Sequence, residues 1–435
     1  MIDAQIEAPL RLGQPDELMV YLHIPFCSTR CGYCDFYSET DVGELRIAAT
    51  LKAILREAEW YRAIYPKARF SSLYLGGGTP SLIPSKLLAP FLARLARLFA
   101  PATQGSMHSS TDEFEWSFEA NPESLDPEKL SVLAESGVNR LSLGVQSFND
   151  RFLRALDRQA DSQMVQRALE EIQNNGRFEL SLDLMTGLPD QSKDDVAADV
   201  QRLLNYRPEH LSLYSLTVER GTPLERRVQE GLVSLGAPSH RDSLWETATA
   251  LLRRNGYQHY EISNFCLPGK HARHNSGYWQ GRPYLGLGPG AVGTLPLAPL
   301  GPPGERVPAS PPGERAVRIG NPGLREYLQA TGVSGGLRPA HQLEYLSGQD
   351  LLLERFLLGL RTSGGVRIGA CAAEFGVDEA ALRTVVESWK GAVYLDRRSF
   401  AAGRVALRQG GRMLLDRLLP DLAVRLESLP NESGL

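Results

Sequence analysis

The sequence has little cysteine, five in 435 residues, which is far too few for the disulfide framework of a secreted scaffold. It has no uncharged apolar run of the ~18–20 residues that a bilayer-spanning helix needs. Its first stretch, Met1 to Asp16, mixes acids with apolar residues and lacks the basic, apolar and cleavage regions of a secretory signal. It has no excess of positive charge, with 47 Lys and Arg set against 51 Asp and Glu for a net −4. No overall basic field therefore recruits nucleic acid or anionic lipid. What remains is ordinary: 42% hydrophobic and 23% charged residues, on a chain long enough for one large domain and a smaller one. These absences lead us to expect a cytoplasmic protein with no nucleic-acid partner.

The few cysteines are concentrated. Three stand in Cys27-Ser-Thr-Arg-Cys31-Gly-Tyr-Cys34. Soft thiolates bunched on one short loop suit an iron–sulfur cube, in which each sulfur reaches a different iron. A 4Fe–4S cube has four irons and this loop supplies three ligands, so one iron is left for a group that is not a side chain. Spacing alone leaves two alternatives open: a zinc site lacking its fourth ligand, or a redox pair with a spare thiol. Cys266 and Cys371 stand alone and read as structural thiols.

Six strand-like runs recur between residues 18 and 217: Met19–Pro25, Ser72–Leu75, Glu115–Glu119, Arg140–Val145, Leu180–Met185 and Leu211–Leu216. Helical patterns such as Ser85–Leu98 and Lys193–Leu204 separate them. Strand and helix in alternation imply a parallel sheet built by right-handed crossovers. Six units are too few for a full eight-fold barrel, so the expected fold is α/β, a partial (β/α)6 barrel. In such barrels the chemistry sits at the C-terminal strand ends. That is where the cysteine loop, Gly76-Gly77-Gly78-Thr79-Pro80, Glu119-Ala-Asn-Pro122, Gln146 and Asp183 all fall. Pro101–Glu113 reads as a small polar insertion, and Thr294–Glu314, with seven prolines, as an exposed loop. Beyond Pro339 come helical segments (Gly348–Thr362, Glu379–Trp389), a Val393–Leu395 strand candidate and a helix around Gly411–Leu422. These suggest a small winged-helix-like domain without the basic stripe of a DNA binder.

Tyr21-Leu-His-Ile-Pro-Phe-Cys27 and the three cysteines resemble the radical S-adenosylmethionine (SAM) superfamily. Over residues 18–294, and more loosely to the C-terminus, the chain resembles its HemN/HemW group. The resemblance implies a core domain over 18–293 after a tail at 1–17. It is followed by a Pro/Gly-rich loop at 294–316, a linker at 317–340 and a C-terminal domain at 341–426. It also implies a 4Fe–4S cluster on Cys27, Cys31 and Cys34, with SAM chelated to the open iron. Positions matching the family's SAM contacts are Tyr21, Tyr33, Gly77, Gly78, Thr79, Glu119, Gln146, Arg158, Asp183, Thr217 and Val292. Two departures stand out. A histidine common two residues after the aligned Arg158 is Ala160 here, and a Gly-Ala-His-Ser run reads Gly290-Ala291-Val292-Gly293.

Two features decide within the group. The oxygen-independent coproporphyrinogen III oxidases carry a fourth cysteine where this chain has Phe36, and Cys34-Asp35-Phe36 is the pattern of the HemW-type heme chaperones. His274-Asn275-Ser-Gly-Tyr278-Trp279 is similar to the HNxxYW signature of those chaperones. There an imidazole could ligate heme iron beside flat aromatic surface. His274 is the expected ligand and His271 its competitor. The resemblance thus implies heme as cargo and heme-accepting apo-proteins, such as respiratory enzymes, as partners, with any membrane association made through them. The alternative is an oxidase decarboxylating coproporphyrinogen III through an adenosyl radical.

Overall fold

The structure, a computed structural model, describes residues 12–101, 114–298, 313–331 and 342–429. Strand and helix alternate six times from the start. The strands are β1 (Glu17–Ile24), β2 (Arg69–Gly77), β3 (Glu115–Ala120), β4 (Arg140–Gln146), β5 (Glu179–Thr186) and β6 (His210–Ser215). Each pairs in parallel with the next. Along β1, Leu18, Val20, Leu22 and Ile24 are fully buried against the helical layer, while Tyr21 and His23 alternate to the other face. The same period puts Tyr74, Glu119, Ser142, Asp183 and Ser212 on the inner face of their strands. The parallel set is therefore dry outside and polar inside.

The set does not close on itself. At the β6 edge, β7 (Gln258–His259) and β8 (Asn264–Cys266) add antiparallel strands. At the other edge β9 (Tyr284–Leu287) joins β1 in parallel. β10 (Val292–Pro296), β11 (Glu314–Gly320) and β12 (Gln342–Ser347) then continue as antiparallel neighbours. Two expectations are corrected here. Residues 294–296 and 314–316, expected in a loop, belong to strands. Part of 317–331, expected in a linker, belongs to the core: Val317 is wholly buried on β11, and Tyr327 is wholly buried on the helix Leu324–Thr331. The prolines between them masked the alternation of a long hairpin. The expected polar insertion at 102–113 lies outside the described residues.

Residues beyond Ser347 build a second core around Leu352, Phe356, Leu382 and Leu422. It comprises the helices Gly348–Gly359, Ile368–Phe375, Glu379–Ser388 and Leu415–Glu427, with a small ladder of β13 (Val366–Arg367) and β14 (Arg404–Val405). The Val393–Leu395 strand candidate is instead a 3-10 segment, Lys390–Tyr394, with Val393 exposed; only Leu395 makes a bridge, to Leu407. The final helix is broken after Met413. This unit docks on the first through Ser363, whose N–H donates to the Tyr260 carbonyl at 2.8 Å. Among the described residues no helix is long and apolar enough to cross a membrane.

One buried carboxylate ties the later strands to the first helix. Glu57, on Glu44–Ile64, accepts from the Gly288 N–H (2.8 Å), Asn321 Nδ2 (2.8 Å) and the Tyr327 hydroxyl (2.6 Å). Burial pushes its carboxyl up from 4.5 to about 7 against the pull of those donors. The native state therefore holds this proton more tightly than the unfolded chain does. The group's contribution to stability declines as pH rises from about 4.5 through about 7. Glu57→Ala removes the acceptor that three donors share and should cost roughly 3 kcal/mol in urea denaturation. Glu57→Gln should instead flatten stability between pH 5 and about 8 relative to wild type.

Candidate functional site

The cysteine loop leaves the end of β1 and is held by backbone. The Cys27 N–H donates to the Glu39 carbonyl (3.0 Å) and the Gly32 N–H to the Leu156 carbonyl (3.1 Å). The end of β2 crosses directly over its start. There the Gly78 N–H donates to Ile24 O (2.8 Å) and the Thr79 N–H to Phe26 O (2.7 Å). A side chain on Gly78 would lie 2.7–2.9 Å from the backbone of Phe26 and Ile24. Gly77, at φ +108°, would press a Cβ to 2.4 Å from the His23 ring. The glycines thus let two loops meet backbone to backbone.

Above this contact lies a cavity of about 360 Å³. Cys27, Cys31, Cys34, Tyr33, Gly77, Gly78, Thr79, Glu119, Gln146, Arg158, Asp183 and Thr217 all line it. Thr79 Oγ1 donates to Cys27 Sγ and Arg158 Nη1 to Cys31 Sγ, each at 3.7 Å. Arg158 Nη2 also holds Asn121 Oδ1 (3.0 Å) and the Gly144 carbonyl (2.8 Å). Gln146 enters the cavity from a bulge in β4, where its own φ is +64°. That is an uncommon conformation for a residue with a side chain, and such strain gathers at working sites. Among the described residues no three His, Cys, Asp or Glu converge to hold a single metal ion.

The electrostatics favour a cation. Glu119 is half-buried and accepts from the Tyr74 hydroxyl (2.5 Å) and the Gly77 N–H (3.1 Å). Its carboxyl is raised by burial against those donors. Asp183 is pushed up to about 7, first by burial and then by the charge of Glu119, with Ser212 and Ser142 opposing. Two carboxyls that repel one another in a low dielectric gain most from a positively charged ligand. Burial also raises the Cys27 and Cys34 thiols, so loading them with metal releases protons.

Three expected site residues are not brought to this cavity. Tyr21 lies beneath it, its hydroxyl on His23 Nδ1 (2.9 Å) and its ring 6.1 Å from that of Tyr74. Val292 sits 39% exposed on β10 and is not part of the lining. His274 is at the opposite end of the barrel. It lies on the short helix Arg273–Trp279, whose first N–H groups donate to the Glu115 carboxylate at the start of β3, Arg273 at 2.7 Å and His274 at 3.0 Å. The His274 ring is 0% exposed. Its Nδ1 meets Ser72 Oγ (2.8 Å), its Nε2 meets the Tyr278 hydroxyl (2.9 Å), and its face stacks on Tyr74 at 5.1 Å. Both nitrogens are spent, and burial drives its basicity down to about 3.

Several cavity residues were missed from sequence, among them Asn121, Ser142 and Tyr214. Ser142, Gly144 and Gln146 were readable as a period-2 polar face of one strand, as were Ser212 and Tyr214 on the next. Nothing local marked Tyr74, whose role depends on Glu119 across the β2–β3 pair.

A parallel α/β sheet carrying a three-cysteine loop at one end defines a class, and the profile of the Radical SAM superfamily matches residues 21–203. The chain is 33% identical over 80% of its length to "Heme chaperone HemW" of Lactococcus lactis subsp. lactis, covering 82% of that protein. It is 34% identical over 82% of its length to "Radical S-adenosyl methionine domain-containing protein 1, mitochondrial" of Mus musculus, covering 77% of it. The chain belongs to the HemN/HemW group of radical SAM proteins. Its fold matches the solved coproporphyrinogen III oxidase HemN of Escherichia coli with TM-score 0.73. That match is at 18% identity and spans 96% of this chain and 91% of the other.

Because His274 is a buried strut, His274→Ala should orphan Ser72 and Tyr278 and leave a cavity, costing about 2–4 kcal/mol. Chemical denaturation checks this. A variant as stable as wild type would contradict the strut.

Proposed function

We propose that the protein is a cytoplasmic heme chaperone that holds a 4Fe–4S cluster and SAM and passes heme to acceptor apo-proteins such as respiratory enzymes. The observation that carries this reading is Phe36. It stands where the oxidases carry a fourth cysteine, and it lines the cavity mouth as a 64% exposed ring. The relative from Lactococcus lactis, matched along most of both chains, bears the heme chaperone name.

The residues fit a cluster. Three sulfurs on one loop border one cavity, with a hydroxyl on Cys27 and a guanidinium on Cys31. The Arg158 Nε is buried with no partner among the described residues. Cys27, Cys31 and Cys34 would hold the cluster, and Glu119, Gln146, Arg158 and Asp183 would line the SAM pocket. When bound, the cluster supplies a one-electron reductant to the ligand on its open iron. The protein's own part is to exclude bulk water, to hold Asp183 and Glu119 against a cationic ligand, and to fix the loop through Gly78 and Thr79.

Anaerobic reconstitution should give about four irons per chain. That iron should be lost in Cys31→Ala and retained in Cys266→Ala and Cys371→Ala. Ionised Asp183 favours a cation, so SAM affinity should rise as pH climbs from about 6 to about 8, and Asp183→Asn should weaken binding and remove that rise. The function itself is tested by offering the reconstituted protein hemin with an apo-acceptor, and separately coproporphyrinogen III with reductant and SAM. Heme transfer without porphyrinogen turnover is expected. Decarboxylation of coproporphyrinogen III would overturn the reading.

A further inference from the structure

We propose that Asn121 is a positioning residue for the cluster: its amide joins the two side chains that donate to cysteine sulfurs, and so sets how readily the cluster is reduced. This rests on the cluster reading above and names what controls the potential of that site.

Two of the three loop sulfurs receive a side-chain donor. Thr79 Oγ1 donates to Cys27 Sγ and Arg158 Nη1 to Cys31 Sγ, each at 3.7 Å. Thr79 comes from the end of β2 and Arg158 from beyond β4, and they meet on one amide. Asn121 Nδ2 donates to Thr79 Oγ1 (3.2 Å), and Asn121 Oδ1 accepts from Arg158 Nη2 (3.0 Å). That amide has only one workable orientation. A guanidinium has no acceptor, so the oxygen faces Arg158 and the NH2 group faces Thr79. The Thr79 oxygen is then occupied as an acceptor, and its proton is turned to the sulfur. The result is a donor chain with one direction, from Arg158 through Asn121 and Thr79 to Cys27, with a branch from Arg158 straight to Cys31. Hydrogen bonds in such a chain polarise one another. The charge of one guanidinium therefore reaches both sulfurs.

The amide is itself held in place. Asn121 follows β3 and leads into the 3-10 turn Pro122–Ser124, as Thr79 leads into Pro80–Leu82. A residue before proline has few conformations open to it. The Asn121 N–H donates to Ser81 Oγ (3.1 Å), and its carbonyl accepts from Ser124 Oγ (3.1 Å). From β4, a Cβ on Gly144 would lie 3.0 Å from Asn121 Oδ1 and 3.4 Å from Arg158 Nη2. A glycine thus stands where any side chain would crowd the contact between amide and guanidinium.

Reducing an iron–sulfur cluster adds negative charge that its sulfurs share, so donors to those sulfurs favour the reduced form and raise the potential. Asn121 makes no hydrogen bond to a cysteine among the described residues and acts through Thr79 and Arg158.

The test is a redox titration of the full-length, cluster-loaded protein without SAM, followed by the electron paramagnetic resonance signal of the reduced cluster. Asn121→Leu keeps the approximate shape and removes both polar ends, and Thr79→Val removes one hydroxyl. Iron should stay at about four per chain in both variants, because backbone contacts fix the loop. Asn121→Leu should make the cluster at least about tenfold harder to reduce, a midpoint about 59 mV more negative. Thr79→Val should do so about fivefold. In the double variant the two effects should overlap, leaving it within about threefold of Asn121→Leu alone. A wild-type midpoint in Asn121→Leu, or a double variant showing the full product of the two changes, would overturn the proposal. Loss of iron in Asn121→Leu would make the residue a structural support and overturn it equally. A wild-type protein that takes up no cluster would overturn the cluster reading itself, which separates that failure from a misassigned Asn121.

Discussion

The structure depends on a contact in which two strand ends touch through backbone alone. Where β2 finishes, Gly78 and Thr79 donate to the carbonyls of Ile24 and Phe26, so the cysteine loop begins from a rigid base. Any side chain at Gly78 would separate the two. Because the contact is made of peptide groups, its geometry is independent of rotamers, and Thr79 is delivered to the Cys27 sulfur as a by-product. The remaining pocket groups are then set by parallel register. Glu119 pairs with Ser142, Gly144 with Asp183, and Asp183 with Ser212, which places the polar inner face at successive strand ends.

The two ends of the barrel are built on different terms. The upper end is acidic, with two half-buried carboxyls whose protonation is raised by desolvation. The lower end is shut by a short helix whose N-terminal amides rest on Glu115 and whose histidine is fastened to Ser72 and Tyr278. Tyr74 belongs to both. Its ring stacks on His274 and its hydroxyl bonds Glu119.

Much of this was legible before any coordinates. The six parallel strands lie where alternation placed them, because a strand with one face on helices and one on a polar lumen has an unmistakable period of two. The cysteine loop and Asp183 were legible for the same reason, each marking a strand end. Three things were not. Prolines obscured the hairpin of β10 and β11, whose inward residues Val317 and Ile319 carry the period. Tyr327 gave no local sign of belonging to the core, since its reason for burial is a carboxylate 270 positions earlier. The packing of His274 gave no local sign either, since its Nδ1 partner Ser72 lies 202 positions earlier, on β2 beside Tyr74.

The helix that closes the lower end also acts as insulation. The plug of His274, Tyr278 and Tyr74 stands between the cysteine-lined cavity and the cleft against the C-terminal unit, which share no lining residue. A group bound at one end therefore meets packed side chains rather than whatever occupies the other.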